Sequence, residues 1–210
     1  MKKSIFLLFL LISTVSIGQI LPEFKLDSLT GDLNGDGIDE KVVITQTTDS
    51  TTYGAKRRIS IFLKDDDNWN LWKESKNALL ESDAGGMMGD PYEGIEIEKN
   101  ILKIYHFGGS SWKWSITDKY RLVNDNFKLI GYTYNYGRPC DYWVNYDFNL
   151  MTGKFILKKE IENCDSGEPL ITKVEKEIFY KYNVEFDLLN RHLKELNLIT
   201  PKFKEKISIR

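Results

Sequence analysis

Residues 140–149, CDYWVNYDFN, and 154–163, KFILKKEIEN, flank the short linker Leu150-Met151-Thr152-Gly153. Both runs carry the β-branched and aromatic residues of strands, and successive side chains of a strand point to opposite faces. Glycine at the end of the linker suits a hairpin loop. With Asn149 opposite Lys154, Phe148 faces Phe155, Tyr146 faces Leu157 and Tyr142 faces Ile161. That register places Cys140 opposite Asn163, one residue short of Cys164. A bulge or local twist at the open end would bring the two sulfurs within bonding range. No C-x-x-C redox spacing is present, so the expectation is a structural disulfide Cys140–Cys164, with two free thiols as the alternative.

The same chemistry extends outward in both directions. Strand-like runs fall at 41–47, 57–64, 93–98, 101–107, 112–123, 127–136, 140–149, 154–162 and 173–182, with a weaker one near 69–73, separated by turns rich in Gly, Asn and Asp. Short successive connections favour antiparallel neighbours. A turn at Lys99-Asn100 pairs Ile97 with Leu102, Ile95 with Ile104 and Glu96 with Lys103, and puts His106 on the Leu102/Ile104 face. In the next strand Trp112, Trp114, Ile116, Tyr120 and Leu122 share the inward face. The fold class is all-β, mainly an antiparallel meander, built as a sandwich, an open barrel or blade-like sheets.

One helix is expected, at about 184–197. Phe186, Leu189, Leu193 and Leu196 recur at spacings of three and four, Asn183 can serve as N-cap, and Thr200-Pro201 stops continuation.

The N-terminus reads as a secretory signal. Residues 1–18, MKKSIFLLFLLISTVSIG, give two lysines, an apolar run from Ile5 to Ile12, and small residues Ser16 and Gly18 suited to a signal peptidase. Ser13, Thr14 and Ser16 interrupt the run before it reaches the ~20 apolar residues of a spanning helix. Cleavage after Gly18 would leave residues 19–210 as a single β-rich domain, exported to the periplasm or the medium. Nothing downstream reads as transmembrane. Export also favours the disulfide, because oxidising compartments preserve such bonds. Loss of Lys2 and Lys3 takes the formal charge from −2 to −4. The remaining basic residues are scattered among acids, so no nucleic-acid partner is indicated.

Before the first clear strand stands Gly31-Asp32-Leu33-Asn34-Gly35-Asp36-Gly37-Ile38-Asp39-Glu40. Counting Asp32 as position 1, oxygen side chains fall at positions 1, 3 and 5, with glycine at 6. This spacing wraps Asp32, Asn34 and Asp36 around one hard cation, lets the Ile38 carbonyl turn inward, and leaves Glu40 to close the shell. An EF-hand would need glutamate at position 12, where Val43 stands. The alternative is an Asp/Asn/Gly turn that binds nothing. Asp32-x-Asn34-x-Asp36-Gly37-x-x-Glu40 followed by a strand resembles the calcium loop of FG-GAP/VCBS-type repeats and integrin-like propeller blades. It occurs once, whereas propellers repeat it, and the resemblance implies a structural Ca2+ in the loop 32–40. The signal, the single loop and the later Gly-Gly-Ser-Ser-Trp-Lys-Trp strand together resemble exported bacterial proteins of unknown function.

No Walker, dinucleotide, H-E-x-x-H or G-x-S-x-G motif occurs. His106 reads as a partly buried histidine rather than a base, and pairs such as Glu96/Glu98 and Asp141/Asp147 arise freely from strand alternation. Tyr132, Tyr134 and Tyr136 share one face of their strand, opposite Phe127, Leu129 and Gly131, and Trp143 sits with Asp141, Asn145 and Asp147. If exposed, these four aromatics could stack on sugar rings or anchor a protein; if both faces of the sheet are covered, they are second-face core. The expectation is a noncatalytic binding module for a glycan or a cell-envelope protein. The alternative is a hydrolase of an extracellular glycan or peptide polymer.

Overall fold

The computed structural model describes residues 23–165 and 167–209, so the expected signal at 1–18 lies outside the described residues. A small sheet pairs β1 (Phe24–Gly31), β2 (Glu40–Thr51), β3 (Gly54–Asp65) and β4 (Asn68–Ser75) in sequence order. A large sheet follows, again strictly in order, from β5 (Tyr92–Glu98) and β6 (Ile101–Gly109) through β7 (Lys113–Val123), β8 (Asn126–Arg138) and β9 (Tyr142–Asn149) to β10 (Lys154–Asn163) and β11 (Leu170–Tyr180). A terminal hairpin joins β12 (Leu196–Ile199) to β13 (Lys206–Ile209). Among the described residues every pairing is antiparallel, and no sheet closes into a barrel.

The registers follow the side-chain alternation. Phe148 pairs with Phe155, Tyr146 with Leu157 and Tyr142 with Ile161, and Ile97 pairs with Leu102 and Ile95 with Ile104. At the open end of the β9–β10 hairpin Cys140 and Cys164 form a disulfide, with their Cα atoms 5.2 Å apart. Val42 and Ile44 of β2, Ile59 and Ile61 of β3, Leu102 and Ile104 of β6, Phe148 of β9 and Ile207 and Ile209 of β13 join one buried cluster. Each such side chain contributes roughly 1.5–3 kcal/mol by leaving water. The two larger sheets approach at β1 and β5, where a methyl group on Gly31 would stand 2.9 Å from Ile97 Cγ2, so glycine permits the contact.

Three features depart from the sequence reading. The segment before the calcium-type loop, which is not among the expected strands, forms β1 on the edge of the small sheet. Its shift in register between Lys25 and Asp27 hides the alternation.

No C-terminal helix forms at 184–197. Val184–Leu188 instead runs beside the start of β8, with Leu129 N donating to Phe186 O and Leu188 N to Phe127 O, both at 2.9 Å. The side chain of Asp187 then accepts from the backbone of Leu189 and Asn190, and such local bonds compete with helix formation. Asn183 has φ of 59°, unsuited to an N-cap. Of the expected stripe, Leu189 and Leu193 face solvent, while Arg191, which a helix with that stripe would turn away from the core, is wholly buried.

The third departure is a β-bulge at Ile130. Tyr120 pairs with Leu129 and Lys119 with Gly131, leaving Ile130 without a counterpart. Beyond the bulge the faces exchange, and Tyr132 comes opposite Asp118 and Phe148, both fully buried. Tyr132, Tyr134 and Tyr136 therefore continue the core face that holds Phe127 and Leu129.

Candidate functional site

The bulge produces a continuous run of rings. Tyr132, 3% exposed, stacks with Tyr134 at 6.5 Å between centroids, and Tyr134 with Tyr136 at 6.4 Å, each pair tilted by only 7°. Trp112, carried back over the sheet by the bend at Gly109–Ser111, stacks on Tyr136 at 5.2 Å and meets Tyr142 at 5.0 Å. Tyr146 stacks on Tyr134 at 5.7 Å. Beyond Tyr132 this face is half-buried, so the run passes from core to surface along one strand.

Cations stand at its outer end. The Arg138 guanidinium lies 4.7 Å from the Trp112 ring centre and is held by Asp141, while Lys159 Nζ lies 4.6 Å from that of Tyr142 and 3.5 Å from Glu205. Burial pushes the Tyr134 and Tyr146 hydroxyls up to about 12, so both stay protonated and can donate as well as accept. Stacked rings with hydroxyls and fixed cations can hold a flat or ring-shaped polar ligand.

The four aromatics singled out in the sequence do not form one surface. Tyr134 and Tyr136 belong to the run, Tyr132 is sealed beneath it, and Trp143 pairs with Gly137 and Glu160 on the opposite face of the sheet. Trp112, Tyr142, Tyr146 and Lys159 were missed as partners. Their signal was present, since the hairpin register already placed Tyr142 and Tyr146 together, but linking them to Tyr134 required the bulge.

The Asp32–Glu40 loop is internally ordered. Asp32 accepts from Gly35 N at 2.6 Å and Gly37 N at 3.1 Å, Asn34 Oδ1 from Asp36 N at 2.8 Å, and Asp36 from Ile38 N at 2.7 Å. Glu40 is 1% exposed and accepts from Leu33 N and Asn34 N. Asn34 Nδ2 bridges Asp36 and Glu40, at 3.0 Å from each. Burial raises the Glu40 carboxyl, its backbone bonds oppose this, and the charges of Asp36 and Asp32 add to the rise. Gly35 and Gly37, at φ of 87° and 83°, allow the wrap. The side-chain oxygens of three acids and an amide are chemically suited to a hard cation. Among the described residues no three His, Cys, Asp or Glu side chains already converge as ligands, so binding would require these side chains to turn.

The remaining candidates are structurally engaged. His106 is 1% exposed, and burial, with the charges of Arg191 and Arg57, pushes its pKa down to about 3. Glu96 and Glu98 both bind Lys103. Among the described residues, no helix is long and apolar enough to cross a membrane. The fold defines an antiparallel β-sheet protein with one disulfide. No family model, curated protein or solved structure matches the chain.

Proposed function

We propose that the chain is an exported, noncatalytic binding module that takes a glycan on the aromatic run, with a structural Ca2+ in the β1–β2 loop. The observation that carries this reading is the emergence of Tyr134, Tyr136 and Trp112 from the core toward Arg138 and Lys159. Sugars present apolar ring faces and hydroxyl edges, which match stacked rings and neutral tyrosine hydroxyls. The disulfide accords with export. Calcium would be held by Asp32, Asn34, Asp36, the Ile38 carbonyl and Glu40, relieving the mutual repulsion of three carboxylates. A glycan and peptide binding screen on the mature protein, with and without calcium, tests the proposal. Glycan binding lost in Trp112→Ala supports it. Binding only to peptides, or glycan binding unchanged in that variant, rejects it.

A further inference from the structure

Arg57, on β3, is buried between the small sheet and the large one, with its side chain 0% exposed. Nη2 donates to Asp90, yet Nε and Nη1 meet neither solvent nor a protein acceptor. His106, on β6, shows the same deficit. Its Nε2 accepts from Leu80 N at 3.3 Å, so the neutral ring carries its proton on Nδ1, and Nδ1 is buried without a partner.

Tyr92 links the two. It is the cross-strand partner of His106, the two rings meet edge-on at 6.4 Å, and the Arg57 guanidinium lies 5.6 Å from the Tyr92 ring centre. The neighbouring acids are already engaged. Asp27 accepts from the Tyr92 hydroxyl and from Ser28 N, and Asp90 accepts from Tyr92 N as well as Arg57. Three buried donor nitrogens thus lack an acceptor, two of them on the Arg57 cation, and each costs about 1–3 kcal/mol if left so.

We propose that Arg57 and His106 form an inter-sheet site for a small oxyanion, a carboxylate or a tetrahedral anion, entering past Asp90. All the unanswered groups are donors, which calls for oxygen acceptors, and Arg57 supplies the charge. The Asp90 side chain is 47% exposed and follows the turn Gly85–Gly89, closed by Gly85 N on Gly89 O, so solvent reaches the guanidinium's one partner. The site is separate from the aromatic run and from the calcium-type loop.

The test is an NMR titration of the His106 ring signals and of Tm in the intact mature protein. Formate and sulfate are the probes, at constant ionic strength. A saturable shift of the His106 signals, with Tm rising as the logarithm of probe concentration, is expected for at least one probe. Arg57→Gln should abolish both responses, and His106→Gln should weaken affinity about tenfold or more by removing one charge-assisted bond. Should Arg57→Gln not fold, the His106→Gln comparison decides. Absence of a saturable response in the wild type, as when only ordered waters answer these donors, overturns the proposal. So does a Tm response that persists at full strength in either variant.

Discussion

Arg191 donates through Nε to Asp118 at 2.7 Å, both side chains 0% exposed, and so ties the turn after β11 to the middle of β7 across 73 residues. Nη2 adds a second bond at 3.2 Å, and the guanidinium packs 5.3 Å from the Tyr132 ring centre. Burying two charges is expensive, and their attraction offsets it only while both are present. Arg191→Met alone should therefore cost about 3–5 kcal/mol in urea unfolding, and Asp118→Leu with Arg191→Met should recover much of the loss. A single variant within ~1 kcal/mol of wild type would show that the pair is dispensable.

His106 predicts an acid-sensitive fold. An unfolded histidine takes a proton near pH 6.5, whereas the buried ring resists until about 3. Between these values the unfolded state holds more protons, so stability falls as pH falls, by up to ~1.4 kcal/mol per unit. His106→Gln should flatten that limb of the stability–pH curve, measured by denaturant unfolding. An unchanged slope would assign the acid sensitivity to other groups.

The disulfide closes a loop with a sequence separation of 24. Reduction, or the double change Cys140→Ala and Cys164→Ala, should lower stability by about 3 kcal/mol. Comparing unfolding midpoints with and without reductant checks this.

For the β1–β2 loop, the expectation is that calcium raises Tm and that Asp36→Ala abolishes the rise. Superimposable melting curves in calcium and in EDTA would reject the ion.

The two faces of the large sheet give a paired prediction. Trp112→Ala should weaken binding of a glycan identified in the screen by about 2 kcal/mol, as for a central aromatic contact. Trp143→Ala should leave affinity unchanged. The reverse pattern, read by calorimetry, would move the site to the outer face.

Strand pairing was legible wherever apolar residues alternate without interruption, as in Phe148/Phe155 and Ile97/Leu102, because the local period then allows one register. Ile130 was not, since an apolar residue between Leu129 and Gly131 violates no pattern while shifting every later side chain to the other face. The false helix has a related origin. Phe186, Leu189, Leu193 and Leu196 satisfy a 3.6-residue period, but Phe127, Leu129 and Asn77 supply backbone partners for Phe186, Leu188 and His192, and no local window contains them. The Arg191–Asp118 pair was not legible, because only the meeting of these two charges across 73 residues makes their burial tolerable. In the loop, the residue types at 32, 34, 36 and 40 were readable, whereas the bridging role of the Asn34 amide needed coordinates.

Strict sequence order in both larger sheets carries a kinetic consequence. Every strand of either sheet finds its partner in the segment just before or after it, so each closure costs little chain entropy and the sheets can grow hairpin by hairpin. The distant closures fall to a few bonds, among them Ser75 Oγ to Leu188 O across 113 residues and Asp118 to Arg191. Weakening those contacts should slow the final locking of the tail and leave the early growth of the sheets at its original rate.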